Sequence, residues 1–454
     1  MKIAVIGSGI AGLGAAWLLS RRHKVTVYER NAYAGGHSNT VDVPIEGGGS
    51  IPVDTGFIVY NERTYPNLIG LLDTLGVARI KTDMSFAVSA DGGRLEYGGS
   101  DLRSLFAQKR NLVSPRFLRM IHDILRFYKT APDLLANDGC AQLTLDDLLK
   151  RDGYSQSFID DHLLPMAAAI WSCPVSTMGA FPAASFIRFF DNHGLLQVND
   201  RPQWWTVKNG SRSYVERLRL GLASDIRTGC GVRAVQRGPE GVTVHLADGD
   251  SAHYDQVVFA CHGDEAAALL SDQSARETSI LSRFGYQRNK AILHSDPGQM
   301  PIRQKVWSSW NYLTERGNAQ SESRVSVTYW MNNLQSLDPA HPLFVTLNPL
   351  RDIAADQVVA EFDYDHPVFD HGAMAAQTQL PDIQGAGGVW FCGSYCGYGF
   401  HEDGLGSAVA VARALGVDAP WGHRPVHAMR AVLRDTETLP RPRTVRAAQI
   451  EAAA

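Results

Sequence analysis

Glycines at positions 7, 9 and 12 have the spacing of a loop that binds the diphosphate of a dinucleotide. Gly7 allows a tight turn, Gly9 lets the backbone approach the diphosphate, and Gly12 lets the following helix pack closely on the preceding strand. At a helix start, free N–H groups and the helix dipole favour negative charge. Together with Ser8 and Ala11, these glycines predict a dinucleotide-binding loop.

A histidine and two acidic residues, His401, Glu402 and Asp403, stand directly before Gly404. With an unperturbed pKa of about 6.5, a histidine can act as a base near neutral pH. Glu402 either orients this imidazole or faces solvent. Asp403 is more typical of a helix cap, because a helix is predicted from Gly404 to Leu415. The segment is therefore a candidate for proton transfer.

Short apolar runs surround the glycine loop and place it in the fold. Residues 2–6 predict a buried strand, residues 13–20 a helix, and residues 24–28 a second strand. The second strand ends at Glu29, whose carboxylate is placed to accept hydrogen bonds from a ribose 2′-hydroxyl. This context of strand, helix and acid distinguishes the loop from a chance glycine pattern.

Length and composition limit the classes of protein. At 454 residues the chain predicts two intertwined domains, and a formal charge of −4 gives no case for nucleic acid binding. The six cysteines show neither CxxC pairs nor zinc spacing, so we expect a reduced, cytoplasmic protein without a metal site. The first strand leaves no room for a signal peptide, and no apolar run approaches the ~18–20 residues of a transmembrane helix. We expect a soluble protein, or at most one peripheral to the inner face of a membrane.

A second glycine pair, Gly35-Gly36, follows shortly after Glu29. In this the chain resembles FAD-binding flavoproteins of the amine oxidase and phytoene desaturase superfamily, in which this loop runs along the diphosphate and ribityl chain. The resemblance implies FAD as a noncovalent cofactor. No second GxGxxG occurs, so a separate NAD(P)H domain is not expected; a Rossmann fold without flavin is the alternative. Cys392 and Cys396 flank a glycine turn, where they either pack or attach the flavin covalently.

The resemblance also implies the fold class and its domains. We expect an α/β protein with a discontinuous, amine oxidase-like, Rossmann-type FAD-binding domain and an inserted α+β substrate domain. The FAD domain is assigned residues 1–83, 203–270 and 383–418, and the substrate domain residues 84–202 and 271–382. Residues 419–454 are assigned to a basic C-terminal tail, which wraps the domain, binds lipid or is disordered.

Several further segments contact the cofactor in that superfamily, and the resemblance assigns matching residues here. Beyond the glycine loop, Glu29 and the Gly35-Gly36 pair, these are Arg30, His37, Ser38, Thr55, Gly56, Phe57, Val232, Gly393, Ser394, Asp403, Gly404 and Leu405. N–H groups at the helix start around Gly404 would stabilise negative charge on the flavin pyrimidine. Ser394 departs from the superfamily, in which a carboxylate is common at this position.

The position three residues before Gly404 tests the assignment to amine oxidases. In those enzymes an aromatic residue stands there and forms half of a cage for the amine, whereas this chain has His401. An imidazole beside two acids exchanges protons, which favours His401 as a base over amine oxidation. Lys290 either matches the amine oxidase lysine that holds a water at flavin N5 or is a strand-edge lysine.

Six phrases resemble a narrower bacterial group of predicted FAD-binding proteins that often accompany cyclopropane fatty acid synthase-like methyltransferases. One branch of that group looks like the desaturase of furan fatty acid synthesis, which oxidises a methyl-branched monounsaturated acyl chain to a conjugated diene. The phrases are residues 170–172, 189–196, 205–211, 289–296, 307–312 and 397–405. The resemblance implies a fatty acyl or phospholipid substrate. A fatty acid double-bond isomerase, a flavin amine oxidase and a non-enzymatic flavin protein held on a membrane are the alternatives.

Large aromatic side chains fit an apolar slot for an acyl chain, although many of them must belong to the core of the inserted domain. They are Phe181, Phe186, Phe189, Phe190, Trp204, Trp205, Trp307 and Trp310. His193 lies in the same apolar stretch and is either a core histidine with satisfied hydrogen bonds or a catalytic residue.

Ser114-Pro115 predicts the start of a helix whose apolar residues recur with helical period as far as Tyr128. Arg119, Arg126 and other basic residues lie on its remaining faces. An ordinary domain helix with a solvated basic face is the favoured interpretation. A helix that docks on anionic lipid is the alternative, with the arginine-rich tail as a second candidate.

Overall fold

A computed structural model describes residues 1–137, 139–140, 142–171, 175–197, 201–222, 225–315 and 324–433, without the side chains of residues 175 and 176. This chain divides into two compact units. The first contains residues 1–34, 218–280 and those from 377 onward, and the second contains residues 35–217 and 281–376. Residues 35–83 and 203–217 thus group with the second unit, while the functional domain boundaries stay a prediction.

The strands are β1 (Lys2–Ile6), β2 (Lys24–Tyr28), β3 (Thr40–Pro44), β4 (Ser50–Asp54), β5 (Tyr60–Asn61), β6 (Arg79–Thr82), β7 (Phe86–Ala90), β8 (Leu95–Gly98), β9 (Trp204–Val207), β10 (Ile226–Arg227), β11 (Val232–Gly238), β12 (Gly241–Leu246), β13 (Ser251–Tyr254), β14 (Gln256–Phe259), β15 (Gly285–His294), β16 (Trp310–Glu315), β17 (Arg324–Trp330), β18 (Phe344–Leu347), β19 (Val358–Val368) and β20 (Val389–Phe391).

The α-helices are α1 (Ile10–Leu19), α2 (Pro66–Leu75), α3 (Leu102–Leu105), α4 (Pro115–Ala136), α5 (Leu145–Arg151), α6 (Gln156–Phe158), α7 (Leu164–Trp171), α8 (Val175–Met178), α9 (Ala183–Asn192), α10 (Arg212–Gly221), α11 (Gly263–Leu269), α12 (Ala275–Leu281), α13 (Met331–Gln335), α14 (His371–Gln377) and α15 (His401–Ala414).

The first unit is built on a parallel sheet with the strand order β10-β2-β1-β14-β20. Strand β1 lies at its centre, paired with β2 and β14, and four of its five residues are buried. Such a continuous apolar strand is typical of a parallel sheet covered on both faces. Helix α1 follows β1 and buries nine of its ten residues. The predicted Rossmann-type arrangement of strand, glycine loop and helix is confirmed.

A close helix pair completes the support of the glycine loop in the first unit. Helix α15 packs along α1, and a Cβ added to Gly14 would lie only 2.7 Å from Leu405 Cδ1. Residues Glu402 to Ala412 of α15 are all buried. Because α15 is enclosed in this way, its first turn is held rigidly beside α1. Strands β11, β12 and β13 form a separate antiparallel sheet of the same unit.

The second unit contains a mixed seven-stranded sheet in the order β19-β15-β18-β17-β16-β7-β8. Only the β16–β7 pair of this sheet is parallel. Two smaller sheets are the β3–β4 hairpin and the set β5-β9-β6. Helices α4 to α9 and the mixed sheet together form the α+β part that we expected as an insertion.

Helix α4 begins as predicted and extends further. Ser114 Oγ accepts a hydrogen bond from the Phe117 N–H at 3.4 Å, and Pro115 occupies the first turn. The helix continues to Ala136, well beyond Tyr128, and buries Phe117 and Phe127. No helix in the described part of the chain is both long and apolar enough to cross a bilayer.

The chain after α15 stays in the first unit and packs against this helix. A Cβ on Gly406 would overlap the side chain of Val426, and His427 stacks on Tyr398 with ring centroids 4.9 Å apart. Residues up to 433 therefore wrap around α15, one of the three alternatives for the tail. Residues 434–454, which contain most of the predicted basic tail, lie outside the described residues, as do Ser172 and Cys173.

Candidate functional site

The glycine loop leaves an open space at one position and none at the other two. Gly7 has φ +100°, and a Cβ there would lie 2.9 Å from the carbonyl oxygen of Ala260. A Cβ on Gly12 would overlap the carbonyl oxygen of Gly7, whereas, apart from its chain neighbours, no described residue has an atom within 4 Å of a Cβ on Gly9. Gly7 and Gly12 are thus required by the fold itself, and Gly9 borders free space at the start of α1.

Helix α1 starts without a side-chain cap. Gly9 is its N-cap residue and makes no side-chain hydrogen bond to the first turn. The first N–H groups of a helix have no partner within the helix, so they are available to an anion next to Gly9. The open space and the uncapped helix start fit the diphosphate of a dinucleotide.

Glu29 lies next to this loop, as predicted. Its side chain is only 7% exposed. Oε2 accepts hydrogen bonds from the Ser8 N–H at 3.0 Å and from Ser8 Oγ at 2.7 Å. Oε1 accepts one from the Asn31 N–H at 2.8 Å. The neighbouring Arg30 is largely exposed and pairs with Glu265 at 2.6 Å. A fixed carboxylate therefore stands beside the diphosphate space, where a ribose hydroxyl can reach it.

The closing motif reaches the same place from the far end of the chain. A Cβ on Gly404 would lie 3.1 Å from Ile10 Cγ2 and 3.7 Å from the Ser394 nitrogen. The first turns of α1 and α15 therefore meet. The Gly393 N–H donates to Ser407 Oγ at 2.9 Å, which fixes the turn that follows β20. The predicted cofactor residues of the glycine loop and of the segment around Gly404 are thus brought together in the first unit. Val232, another predicted cofactor residue, lies at the start of β11.

Asp403 caps α15, as its position suggested. Its Oδ2 accepts hydrogen bonds from the N–H groups of Tyr398 and Phe400, both at 3.0 Å. Burial raises the pKa of Asp403 to about 7, although these two backbone hydrogen bonds act in the opposite direction. The carboxyl group thus holds the loop before the helix in place. A direct contact of Asp403 with the cofactor stays a prediction.

His401 is the first residue of α15, and Glu402 is the second. Burial of the imidazole lowers the pKa of His401 to about 3, although part of the residue's surface remains accessible. The ring is therefore neutral at pH 7, with a lone pair able to accept a proton. Glu402 is only 4% exposed, so the solvent-facing alternative for this residue is wrong.

Gln377 is a residue of this site that the sequence did not reveal. Its Nε2 donates to the carbonyl oxygens of Tyr395 at 2.8 Å and Gly397 at 2.6 Å. The buried amide thereby fixes the turn that leads to His401. A lone glutamine 24 positions before His401 carries no recognisable motif, so only the fold identifies it.

In the second unit, the predicted cofactor residues gather around Tyr364. His37 stacks on its ring with centroids 4.7 Å apart, and Thr55 Oγ1 lies 2.7 Å from its hydroxyl. The Phe57 N–H donates to the His37 carbonyl at 2.7 Å, and a Cβ on Gly56 would overlap that carbonyl. The segments 35–38 and 55–57 therefore form one cluster, whose role at a cofactor stays a prediction.

A buried aspartate supports this cluster and was missed in the sequence. Asp54 accepts hydrogen bonds from the Ser211 N–H at 2.9 Å, from Ser211 Oγ at 2.7 Å and from Thr40 Oγ1 at 2.6 Å. Burial raises its pKa to about 6. This network ties the end of β4 to the turn at Asn209-Gly210, where both residues have positive φ. The signal was a single acid directly before Thr55.

Lys290 and His193 both contact neighbouring residues of the second unit, and Lys290 is not on an edge strand. Lys290 is half-exposed on β15, with Nζ 2.8 Å from Glu361 Oε2 on β19, and β15 is an inner strand rather than an edge. A water-holding role of Lys290 at the flavin stays a prediction. His193 is buried, and its Nδ1 lies 2.9 Å from the carbonyl oxygen of Phe189. Its imidazole stacks on the phenyl ring of Phe189, with ring centroids 3.9 Å apart. Burial lowers its pKa to about 4, as expected for a core histidine.

The phenylalanines predicted to line a slot form an aromatic cluster in the second unit. Trp171 lies 4.9 Å from Phe181 and 4.7 Å from Phe189 between ring centroids, and Phe186 stacks on Phe190 at 4.2 Å. All four phenylalanines are buried, as in a hydrophobic core. Trp204, Trp205, Trp307 and Trp310 keep partial exposure and remain candidates for an apolar wall.

Comparison with known proteins decides the family. The model of the flavin-containing amine oxidoreductases matches residues 10–416. The chain belongs to this family. It is therefore a flavin-dependent oxidoreductase with FAD as its cofactor. The predicted enzyme class and the predicted cofactor are both confirmed. The superfamily named from the sequence is confirmed with them, and the narrower bacterial group stays a prediction.

Solved structures of the family share the fold at low sequence identity. The CLA-producing fatty acid isomerase from P. acnes is 15% identical, with a TM-score of 0.65 over 91% of this chain and 98% of that one. Cyclohexylamine oxidase from Brevibacterium oxydans IH-35A is 15% identical, with a TM-score of 0.66 over 91% of this chain and 99% of that one. Carotenoid phi-ring synthase from Streptomyces griseus is 36% identical over 107 residues, which is 23% of this chain but only 19% of the synthase. The chain thus matches less than a fifth of that curated relative.

The residues of the first unit fit the family's cofactor. The space at Gly9 and the uncapped start of α1 suit the diphosphate, and the carboxylate of Glu29 suits the adenosine ribose. When bound, FAD would supply a two-electron acceptor.

Replacing Glu29 with alanine is expected to weaken FAD binding by about 10- to 150-fold. A charge-assisted hydrogen bond of the buried carboxylate, worth about 1.5–3 kcal/mol, would be lost. Titration of apo-protein with FAD, followed by flavin fluorescence, measures the dissociation constant. Asp264→Ala, at an exposed acid of the same unit, is the matched control. An unchanged dissociation constant in Glu29→Ala would contradict the ribose contact.

Proposed function

We propose that the protein desaturates an unsaturated, methyl-branched fatty acyl chain to a conjugated diene, using FAD as hydride acceptor. The observation that carries the proposal is His401 at the start of α15, where the resemblance places an aromatic cage residue in amine-oxidising enzymes. A neutral imidazole at this position is suited to accept a proton from carbon rather than to hold an amine.

The chemistry of a neutral imidazole indicates the order of the two hydrogen transfers. An imidazole is too weak a base to take a proton from a neutral alkene, and burial of His401 weakens it further. Loss of hydride from the allylic carbon first leaves a delocalised allylic cation, which a methyl branch stabilises further. An adjacent C–H of such a cation is acidic enough for a weak base. His401 then receives this proton, and the remaining electron pair forms the second double bond.

The buried surroundings of His401 suit this sequence of steps. A proton accepted by the ring is poorly solvated there, so His401 releases it readily once the product is formed. Gln377 and Asp403 keep the preceding turn in position, and their hydrogen bonds use backbone groups that the reaction does not change. The site therefore holds its base without reorganisation during the reaction.

A fatty acid double-bond isomerase is the second candidate, because it uses the same residues and returns the hydride to the chain. The fold shared with the CLA-producing isomerase is compatible with this activity. An amine oxidase is less favoured, since it would require a cage residue at position 401.

Product analysis tests the proposal. Purified holoenzyme is incubated with a methyl-branched monounsaturated acyl chain, offered both as free acid and within a phospholipid. We expect a product lighter by two hydrogen atoms, with the ultraviolet absorption of a conjugated diene. A product of unchanged mass would establish the isomerase instead. Turnover of an amine such as cyclohexylamine, without any change in the acyl chain, would contradict the proposal.

A further inference from the structure

Residues 102–129 carry a concentration of positive charge in a chain whose formal charge is −4. This stretch contains α3, a 3-10 helix at Lys109–Val113 and most of α4. Its only acidic residue is Asp123, which is fully buried. Its seven basic residues are Arg103, Lys109, Arg110, Arg116, Arg119, Arg126 and Lys129. No acidic side chain of this stretch therefore reaches the surface.

The same stretch exposes apolar side chains. Ten large apolar side chains are exposed in the described part of the chain, and five of them lie between residues 102 and 125. Val113 is 80% exposed and Leu118 is 46% exposed. The five are Leu102, Leu112, Val113, Leu118 and Leu125. Single exposed apolar residues are ordinary, but a cluster within 24 positions indicates an interaction surface.

Two of the exposed apolar side chains, Leu118 and Leu125, share one face of α4. Leu118, His122 and Leu125 are exposed and follow helical spacing, while Phe117 and Phe127 on another face are buried. Leu112 and Val113 precede the first turn of α4 directly. Phe106, just after α3, packs against Phe117 with ring centroids 5.9 Å apart, which ties the preceding segment to the helix. We name residues 102–125 the docking ridge.

Two arginines that the sequence suggested for lipid contact also pair with a buried carboxylate of the fold. Arg119 and Arg126 both lie 3.3 Å from the buried carboxylate of Asp123, and Arg126 also covers the ring of Tyr154 at 3.9 Å. Reversing their charge would leave Asp123 without its two arginine partners and would disturb α4. Arg103 and Lys109 are exposed within the ridge and are the better test of its charge.

We propose that the docking ridge binds the surface of an anionic lipid bilayer, with Leu112, Val113 and Leu118 in the interface and the basic residues at the headgroups. Protruding apolar side chains interleaved with basic ones match a layer that is apolar below and anionic above. The ridge offers no exposed acid that would repel such a surface. This proposal does not depend on the substrate assigned above.

Flotation with lipid vesicles tests the ridge in full-length holoenzyme. Vesicles of phosphatidylcholine with about one third phosphatidylglycerol should carry the protein at low salt, and pure phosphatidylcholine should not. Sodium chloride at about 0.5 M should release it, because screening shortens the range of the attraction. Arg103→Ala and Lys109→Ala should each weaken binding about fivefold. Lys208→Ala, at an exposed lysine outside the ridge, should have no effect.

The apolar part of the ridge is tested by Val113→Asp combined with Leu118→Asp, which should lower vesicle binding more than tenfold. Leu220→Asp is the matched control, because Leu220 is 83% exposed on α10, outside the ridge. FAD content should be unchanged in all variants, so that loss of vesicle binding can be read whether or not the proposed reaction occurs. Absent vesicle binding, or equal loss in the Leu220 variant, would overturn the proposal. An oligomer that the ridge variants dissociate, without vesicle binding, would assign the ridge to a second copy and likewise overturn it.

Discussion

Gly9→Ala is expected to fold like the wild type and to bind FAD about 5- to 150-fold more weakly. Among the described residues, none except the chain neighbours of Gly9 has an atom within 4 Å of the added methyl group, so the apo-protein has room for it. The family's diphosphate approaches the backbone at this glycine, and overpacking that contact costs about 1–3 kcal/mol. Thermal unfolding of the apo-protein and FAD titration measure the two effects separately.

Gly12→Ala provides the contrast within the same loop. Its methyl group would overlap the carbonyl oxygen of Gly7, a backbone atom that cannot move without disturbing the turn. We expect a loss of about 3 kcal/mol or more in the free energy of unfolding. Wild-type FAD affinity in Gly9→Ala would show that the open space is not the diphosphate site. Unchanged stability in Gly12→Ala would contradict the helix–strand contact.

His401→Gln is expected to keep FAD bound and to slow flavin reduction by the acyl substrate about 10²- to 10⁴-fold, the usual effect of losing a positioned base. Glutamine retains polarity and similar volume but cannot accept a proton. Anaerobic stopped-flow measurement of flavin bleaching gives the rate. His193→Gln is the matched control, because His193 is also buried and its ring contacts Phe189 and Tyr65 in the second unit. Equal rates in wild type and His401→Gln would assign His401 a structural role.

The pH dependence of flavin reduction in the wild type and in His401→Gln tests whether His401 is buried. Because burial lowers the pKa of this imidazole to about 3, the ring is neutral from pH 5 to 8. The ratio of wild-type to His401→Gln rates should therefore stay constant over that range, since Asp403 and the flavin titrate alike in both proteins. A ratio that falls about tenfold per pH unit below 6.5 would show a solvent-like histidine.

The pH dependence of the free energy of unfolding tests the pKa of His401 independently. The folded state holds His401 neutral, while the unfolded chain protonates it below about pH 6.5, so the contribution to stability is present above that pH and lost as the pH falls. Between pH 7 and 5 the wild type should lose about 2 kcal/mol relative to His401→Gln. Chemical denaturation at the two pH values measures this difference.

Local sequence was sufficient for the parts of the protein that depend on neighbouring residues. The strand, glycine loop, helix and acid between Lys2 and Glu29 lie within 28 consecutive residues, and each step is dictated by periodicity or by glycine at a turn. The capped start of α4 and the cap at Asp403 are likewise local, because a cap bonds to N–H groups a few positions away. The family and its cofactor follow from such segments.

Tertiary structure decided what depends on residues distant in the chain. The carboxylate of Asp54 meets Ser211 across 157 positions, and Gly404 meets Ile10 from the opposite end of the sequence. Burial makes His401 a weak, neutral base and removes Glu402 from solvent. Lys290, by contrast, is half-exposed and pairs with Glu361. Hydrogen bonding, desolvation and exposure depend on which residues are neighbours in three dimensions. Residue type and spacing therefore identified the candidate groups, and packing determined which of them can act.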